Sequence, residues 1–447
     1  MTLRFLHAAD IHLGHRQYDN PVRMADFSRA FRDMLQDAIA SRVEAVLLAG
    51  DLFHKRDVEP RTFVQAAMLF GRLQAQGIPV LAIQGNHEGS AYREGFTWLD
   101  GLAELGLVRV LGISYRDGEM VVEPYSDETR SGAYYDIGDV RVYGLRYAGS
   151  STPRVVGDLA ERIESVRGPR PAYTILMLHA GLKGVLDQYA GTLSRENLDA
   201  LRGHVDYVAL GHIHKPFVQD DWLYNPGSLE NNSIDEAQWS ERGYFIVDVT
   251  PGQSPPHVAD LRNSQRRRVI RHRFDVDPFT TPQALYDALR RDLDDLPRGD
   301  DQPLFELRLT GVLNISRSDL DLRYIEKLAQ EELEPLLVHL QDQMASNAFE
   351  IRTDDEQPRE EIERQVLRDL LENDVRRREH SGRWAELALQ LKQMALARSH
   401  PTEVVAELRS FQAILEELEL AAVSGDVSAD VSDEVPADVS VEEGGAC

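Results

Sequence analysis

"VEAVLLAGD", residues 43–51, is the stretch whose reading decides the fold. It is apolar apart from Glu44, and it ends on Gly50 and Asp51. A short, continuously apolar run rich in branched side chains suits a strand buried on both faces. The plan recurs through the first 250 residues. "LRFLHAAD" ends at Asp10, "IPVLAIQGNH" ends at His87, "YTILMLHAG" carries His179, and "DYVALGHIH" carries His214. Segments of helical period lie between them. In "MADFSRAFRDMLQDAIASR" the apolar positions are Phe27, Phe31, Met34/Leu35 and Ala38/Ile39. Strands alternating with helices predict an α/β layered domain over residues 1–260.

The texture changes after about residue 255. "RRRVIRHRFDVDP" alternates like a strand. A helix-like "TPQALYDALRRDL", a strand-like "LFELRLTGVLNIS" and a helix-like "DLDLRYIEKLAQEEL" follow. These predict a small α+β domain over 268–352, near the low end of domain sizes. Residues 360–420 read as helices. Ile362, Val366, Leu370/Leu371 and Val375 make one apolar stripe; Trp384, Leu387, Leu391 and Met394 make another. Val404/Val405, Leu408, Phe411, Leu415 and Leu418 make a third, after Pro401 at a helix start. The acidic, low-complexity segment 421–447 is expected to be disordered.

The chain has 447 residues and 42% hydrophobic content, enough for a large core. Its single cysteine, Cys447, excludes an internal disulfide framework and a thiolate metal cluster. The start, "MTLRFLHAAD", shows no secretory signal, and no apolar run is long enough to cross a bilayer. A cytoplasmic protein, away from membranes, is the expectation. Lys+Arg is 49 against Asp+Glu 75, a formal net charge of -26. Such acidity argues against a general polyanion binder and fits either a well-solvated surface or a high-salt cytoplasm.

Carboxylate, imidazole and amide side chains collect at the ends of the apolar runs. They are Asp10 and His12 in "DIH", Asp51 and His54 in "GDLFH", and Asn86, His87 and Glu88 in "GNHE". His179 in "LHAG" and His212 and His214 in "GHIH" complete the set. Active sites of α/β folds lie beyond the carboxyl ends of the strands. These donor types favour manganese, iron or zinc, and a carboxylate can bridge two ions. In an extended chain residues i and i+2 face the same side, so "DIH" and "HIH" each aim two ligands together. Singly, each fragment has an ordinary reading as a turn or a satisfied polar residue. Five together, each closing a buried run, point to a dinuclear centre.

The series D-x-H, GD, GNH[ED], H and GHxH resembles calcineurin-like metallophosphoesterases. "HAADIHLG", "LLAGDLFHKRD", "VLAIQGNHE", "LMLHAG", "ALGHIHKP" and "YNPGSLE" closely resemble the SbcD family, bacterial counterparts of the Mre-type nuclease. The likeness is strong over about the first 250 residues and weak over 268–350. It implies a β-sandwich flanked by helices, a small DNA-capping domain and a C-terminal helical region. It also implies manganese-dependent exo- and endonuclease activity on duplex ends and hairpins in double-strand break repair, by hydroxide attack at two metals. One metal would be held by Asp10, His12, Asp51 and His214, the other by Asp51, Asn86, His179 and His212. His87 would face the phosphate, and His54 would support it or act as an acid–base partner. The partners implied are DNA, an SbcC-like ABC ATPase with a coiled coil, and a second copy of the chain. Related phosphatases carry Asp-Arg-Gly after the GD motif. Leu52-Phe53-His54-Lys55-Arg56 here favours the nuclease branch.

Other residues take supporting readings. Glu88 orients its loop, "NPGS" at 225–228 forms a tight turn beside the site, and His15 is solvated or touches substrate. Arg262, Arg266, Arg267, Arg268, Arg271 and Arg273 are either a phosphate track or the wet face of a linking strand. At least one helix of 361–420 is expected to dock on the ATPase coiled coil. The competing functions are a phosphodiesterase for small substrates and a non-catalytic DNA-end tether.

Overall fold

A computed structural model describes residues 2–424 apart from 90–94, 165, 167–169, 186–191, 300, 347–358, 373–379 and 398–399. The apolar runs form the centres of two six-stranded sheets. The first runs, in spatial order, His257–Asn263, Gly243–Val249, Leu3–Ala8, Ala45–Leu48, Val80–Ala82 and Arg109–Val110. The last four of these are mutually parallel. The second runs Phe217–Gln219, Leu223–Asn225, Tyr207–Gly211, Tyr173–His179, Val140–Leu145 and Tyr134–Ile137. Its middle four strands are parallel.

Alternation along each strand explains why the runs are apolar throughout. Leu3, Phe5, Ala45 and Leu47 meet Tyr173, Ile175, Met177 and Tyr207 in one core between the sheets. Leu6, Ala8, Val46 and Leu48 face outward into a second core with Phe31, Met34 and Phe70. Those residues belong to helices Pro21–Ala40 and Pro60–Ala75. Leu176, Leu178, Val208 and Leu210 pack with Val156 and Leu159 of helix Thr152–Ile163 on the other side. A strand buried on both faces leaves no polar face, as the sequence predicted.

The chain divides into two compact units, one up to Ala345 and one from Ser346. Within the first, a small three-stranded sheet runs Val269–Asp275, Leu304–Leu313, Leu337–Ser346. Helices Pro282–Asp294 and Leu322–Leu333 cover it, and Leu285, Leu289, Leu293, Phe305, Leu307 and Ile325 form its own core. The second unit contains helices Arg359–Glu372, Ser381–Leu396 and Pro401–Ser424. Trp384 packs on Phe411 with ring centres 4.7 Å apart. The last helix continues through Ser424, into the segment expected to be disordered; Ala421 and Ala422 are strong helix formers. Residues 425–447 and Val375 lie outside the described residues. No helix among the described residues is long and apolar enough to cross a membrane.

Candidate metal centre

Five strand ends meet. Asp10 and His12 follow Leu3–Ala8, Asp51 follows Ala45–Leu48, and Asn86 and His87 follow Val80–Ala82. His179 ends Tyr173–His179, and His212 and His214 follow Tyr207–Gly211. The extended i, i+2 geometry expected for "DIH" and "HIH" is not the one adopted. The strands end before these residues, and Asp10, His12, Asp51 and His212 have φ of 52°, 51°, 55° and 88°. Left-handed backbone at a residue other than glycine costs about 1–3 kcal/mol and persists only where the surroundings enforce it. They do so here. Asp10 N donates to the Gly50 carbonyl at 3.1 Å, and His12 N donates to the Asp51 carbonyl at 3.0 Å. His212 N donates to both Asp10 carboxylate oxygens at 3.0–3.1 Å.

The glycines of the motifs make room for this crowding. A Cβ on Gly85 would stand 2.1 Å from Asp51 Oδ1, and one on Gly50, at φ 93°, would stand 2.3 Å from His179 Nδ1. Only a residue without a side chain fits at either place.

The seven side chains expected to hold metal gather in two groups, and His12 also has ligand atoms within 4.8 Å of those of His54 and His87. In one, Asp10, His12 and His214 bring ligand atoms within 4.8 Å of one another. His12 Nε2 is 3.2 Å from His214 Nε2, and Asp51 Oδ2 stands 4.0 Å from His12 Nε2. In the other, Asp51, His179 and His212 do the same. Asn86 Oδ1 sits 3.0 Å from His179 Nε2 and 2.8 Å from His212 Nδ1. Asp51 Oδ2 sits 3.3 Å from His179 Nε2, so this carboxylate lies between the groups. All seven residues expected to hold metal are therefore brought together.

The donor chemistry fits divalent ions. The Ala49 carbonyl takes the Nδ1 proton of His179 at 2.8 Å. A neutral His179 then presents a bare Nε2 to Asp51 Oδ2 and Asn86 Oδ1, and three acceptors converge with no donor. Without metal, a second proton on His179 resolves this. Burial lowers its pKa, but the charge and hydrogen bond of Asp51 outweigh burial and raise it to about 9. A cation would take that proton's place. Burial keeps His12 well below the ordinary imidazole value, and burial plus the His179 charge lowers His212 to about 3. Both are neutral, as metal ligands must be.

His87 and His54 stand at the mouth. His87 N donates to Asp51 Oδ1 at 2.9 Å, and its Nδ1 donates to the His54 carbonyl at 2.5 Å. Its Nε2 is left 4.0 Å from Asp51 Oδ2, in a side chain 35% exposed. The His54 ring stacks on His15 with centres 3.6 Å apart and lies 5.3 Å from the His87 ring. Burial, then the charges of His15 and His87, lower His54 to about 3, which keeps it neutral. His15 is not simply solvated. It is half-buried between His54 and Phe27, and burial lowers it to about 4.

Three supports hold these groups. Glu88 accepts from the backbone N–H groups of Asp51, Leu52, Phe53 and Gly85 at 2.6–3.2 Å, tying the GD turn to the GN turn. Asn225, from "NPGS", donates to the carbonyls of Ile213 and Lys215 at 2.5 and 2.8 Å and so bends the "HIHK" loop. Sequence reasoning missed Glu236. It accepts from His214 Nδ1 at 2.7 Å, while its other oxygen takes Arg242 at 2.6 Å, Ser228 Oγ at 3.1 Å and Asn232 N at 3.0 Å. The proton held on Nδ1 leaves His214 Nε2 as the free lone pair.

The arginine-rich stretch is largely committed. Arg267 pairs with buried Asp26 at 2.5 Å, Arg268 with Asp301 at 3.0 Å and Arg262 with Asp260 at 2.6 Å. Arg271 pairs with Glu306 at 2.6 Å and Asp235 at 2.7 Å. Arg266 donates to the Arg242 carbonyl at 2.6 Å, and Arg273 to Thr310 Oγ1 at 2.8 Å. These contacts favour the linking-strand reading over an open phosphate track.

A family model described as calcineurin-like phosphoesterase matches residues 3–216. The chain is 30% identical to the DNA double-strand break repair protein Mre11 of Halobacterium salinarum over 300 residues, covering 65% of this chain and 68% of that one. It is 30% identical over 241 residues to the Mre11 protein of Archaeoglobus fulgidus, covering 53% of this chain and 52% of that one. The calcineurin-like phosphoesterase YfkN of Bacillus subtilis aligns at a TM-score of 0.35 and 13% identity, covering 59% of this chain and 89% of that one. The fold and the matched segment define a calcineurin-like phosphoesterase. Within that class, the chain belongs to the Mre11/SbcD-type family. It spans about half the length, or less, of several curated relatives that it matches.

Proposed function

We propose that this chain is a metal-dependent nuclease that hydrolyses phosphodiester bonds at DNA ends in double-strand break repair. The observation that carries the reading is the convergence of seven ligand-type side chains from five strand ends into two groups around Asp51. One ion would be held by Asp10, His12, Asp51 and His214, the other by Asp51, Asn86, His179 and His212. Two divalent ions, manganese in our reading, would supply charge neutralisation at the phosphate and a nucleophile available at neutral pH.

The chain's own groups do the rest. Glu236 and the Ala49 carbonyl fix the tautomers of His214 and His179. His87, anchored through N and Nδ1, aims Nε2 over the centre. A protonated Nε2 there would donate to a phosphoryl oxygen or to the departing oxygen. His54, neutral and stacked between His15 and His87, holds the His87 turn through its carbonyl.

The partners we propose are duplex ends and hairpins, a coiled-coil ABC ATPase, and a second copy of the chain. In the helical unit Leu370, Leu396, Val405 and Leu408 remain exposed, which supports a docking role there. The test is manganese-dependent cleavage of linear duplex and hairpin DNA, with and without the ATPase. Turnover of small phosphodiesters but not DNA would establish the small-substrate alternative. Binding of DNA ends without cleavage of any ester, with both metals bound, would establish the tether.

A further inference from the structure

A second feature adjoins the metal centre. Tyr147 follows strand Val140–Leu145, and its N donates to the Gln84 carbonyl at 2.8 Å, just before Asn86. Its ring lies 5.5 Å from the His212 ring, tilted by 37°, and 6.1 Å from the His179 ring. Tyr147 also lines a cavity of about 280 Å³, with Tyr115, Arg146, Arg154, Ile113 and Leu145. One tyrosine therefore belongs both to the edge of the candidate metal centre and to the cavity.

The charge of this cavity is unusual for the chain. The protein carries a net charge of -26, yet no carboxylate lines the cavity among the described residues. The arginines at 262–273 are held by carboxylates, a hydroxyl or carbonyls, whereas Arg146 makes one long contact, to the Ile113 carbonyl at 3.3 Å. Arg154 is exposed and forms no ion pair among the described residues. Two cations without carboxylates attract an anion. Two tyrosines and three aliphatic side chains, Ile113, Leu145 and Val155, supply an apolar surface. An aromatic wall beside a cationic edge is what binds unpaired nucleotides, through base stacking and phosphate contact.

We propose that this cavity is a subsite for one unpaired nucleotide next to the phosphate being cut. The inference rests on the nuclease reading above. The base stacks against Tyr147 or Tyr115, and Arg146 and Arg154 hold the flanking phosphate. Its volume of about 280 Å³ has room for a single base. A strand that reaches the centre would therefore be unpaired on the Tyr147 side, which gives a physical basis for acting on frayed ends and hairpin tips.

The experiment uses the full chain and a fluorescently labelled single-stranded thymidine oligonucleotide. Binding is followed by anisotropy in EDTA over a range of salt, and cleavage of the same strand is followed in manganese. The double variant Arg146→Ala/Arg154→Ala changes only exposed side chains, so the fold should persist; circular dichroism checks it. Its affinity should fall by about tenfold or more. The slope of log affinity against log salt should shrink by about 0.7, the value for one phosphate contact on a single strand. Tyr115→Ala should weaken binding by about tenfold with the salt slope unchanged. Wild-type affinity and slope in the double variant, or no binding by the wild type in EDTA, would overturn the subsite. If the wild type still cuts DNA in manganese, the subsite alone falls. If it neither binds nor cuts DNA, the nuclease reading falls with it.

Discussion

Glu236→Gln removes one charge and almost no volume. Glu236 uses both oxygens: one accepts from His214 Nδ1 at 2.7 Å, the other from Arg242, Ser228 and Asn232 N at 2.6–3.1 Å. Glutamine has a single acceptor. Three donors hold its oxygen on the Arg242 side, so its NH2 faces His214 Nδ1. Nδ1 must then accept, and the ring proton moves to Nε2, the atom that faces His12 at 3.2 Å. The lone pair offered to metal is lost. Changing such a supporting partner costs about 10–100-fold in metal affinity, or roughly 1.4–2.7 kcal/mol. The buried Arg242 keeps Ser228 and a neutral acceptor, so stability should fall by only about 1–3 kcal/mol. Calorimetric titration of metal-free protein with manganese should show one site weakened by that factor and the other close to wild type. Two sites at wild-type affinity would refute the tautomer argument. The charge matters across a wide pH range. Burial raises the Glu236 pKa, but the hydrogen bond and charge of His214, with Arg242, lower it overall to about 2. Its contribution is therefore complete above the ordinary glutamate value of 4.5 and is lost only as pH falls towards 2.

His87→Ala should abolish DNA cleavage, by about 10²–10⁴-fold in kcat for a lost acid–base group, while both metals still bind by calorimetry; retained cleavage by the metal-loaded variant would contradict its role. Gly85→Ala places a Cβ 2.1 Å from Asp51 Oδ1 and should weaken metal binding at least tenfold, with about 1–3 kcal/mol lost from stability by overpacking; urea titration and calorimetry together check it, and wild-type metal affinity would show that the turn can yield. Metal binding should release protons at neutral pH, because Asp51 raises His179 to about 9. In the metal-free protein the His179–Asp51 pair contributes fully below the ordinary imidazole value and is lost as pH rises through about 9, so metal affinity should climb with pH over that window. Manganese titrations in buffers of different ionisation enthalpy read the proton count directly, and a count of zero at pH 7 would refute the competition.

The centre was legible in the sequence to the extent that its groups ride on buried strands. Asp51 and His179 close runs that are apolar on both faces, and such runs have little choice but to lie side by side, which brings their ends together. Supports that arrive from elsewhere leave no local trace. Glu236 stands 22 residues beyond His214, in the short turn Ile234–Gln238, with no period or spacing to mark it. Arg267 reads as a free cation in a basic stretch, because its partner Asp26 lies 241 residues away on a helix. His15 reads as solvated, because nothing in "HLGHR" says that it will stack on His54.

The backbone of the centre was the least legible part, and it bears most on how ligand mutants should be interpreted. Asp10, His12, Asp51 and His212 all hold left-handed φ, which a sequence does not announce at residues other than glycine. Two of them, His12 and His212, are kept there by hydrogen bonds to another of the four, whereas Asp10 N donates to the Gly50 carbonyl and Asp51 N to Glu88. The Asp10 carboxylate takes His212 N, the Asp51 carbonyl takes His12 N, and Asp51 Oδ1 takes His87 N. Several of the candidate ligands therefore also brace one another's main chain. Removing a whole carboxylate releases strain of about 1–3 kcal/mol per residue into a loop free to relax, so an alanine at Asp10 or Asp51 disturbs the turn as well as the ligand set. Only an isosteric amide, which keeps an acceptor for the neighbouring N–H, separates loss of metal from loss of shape.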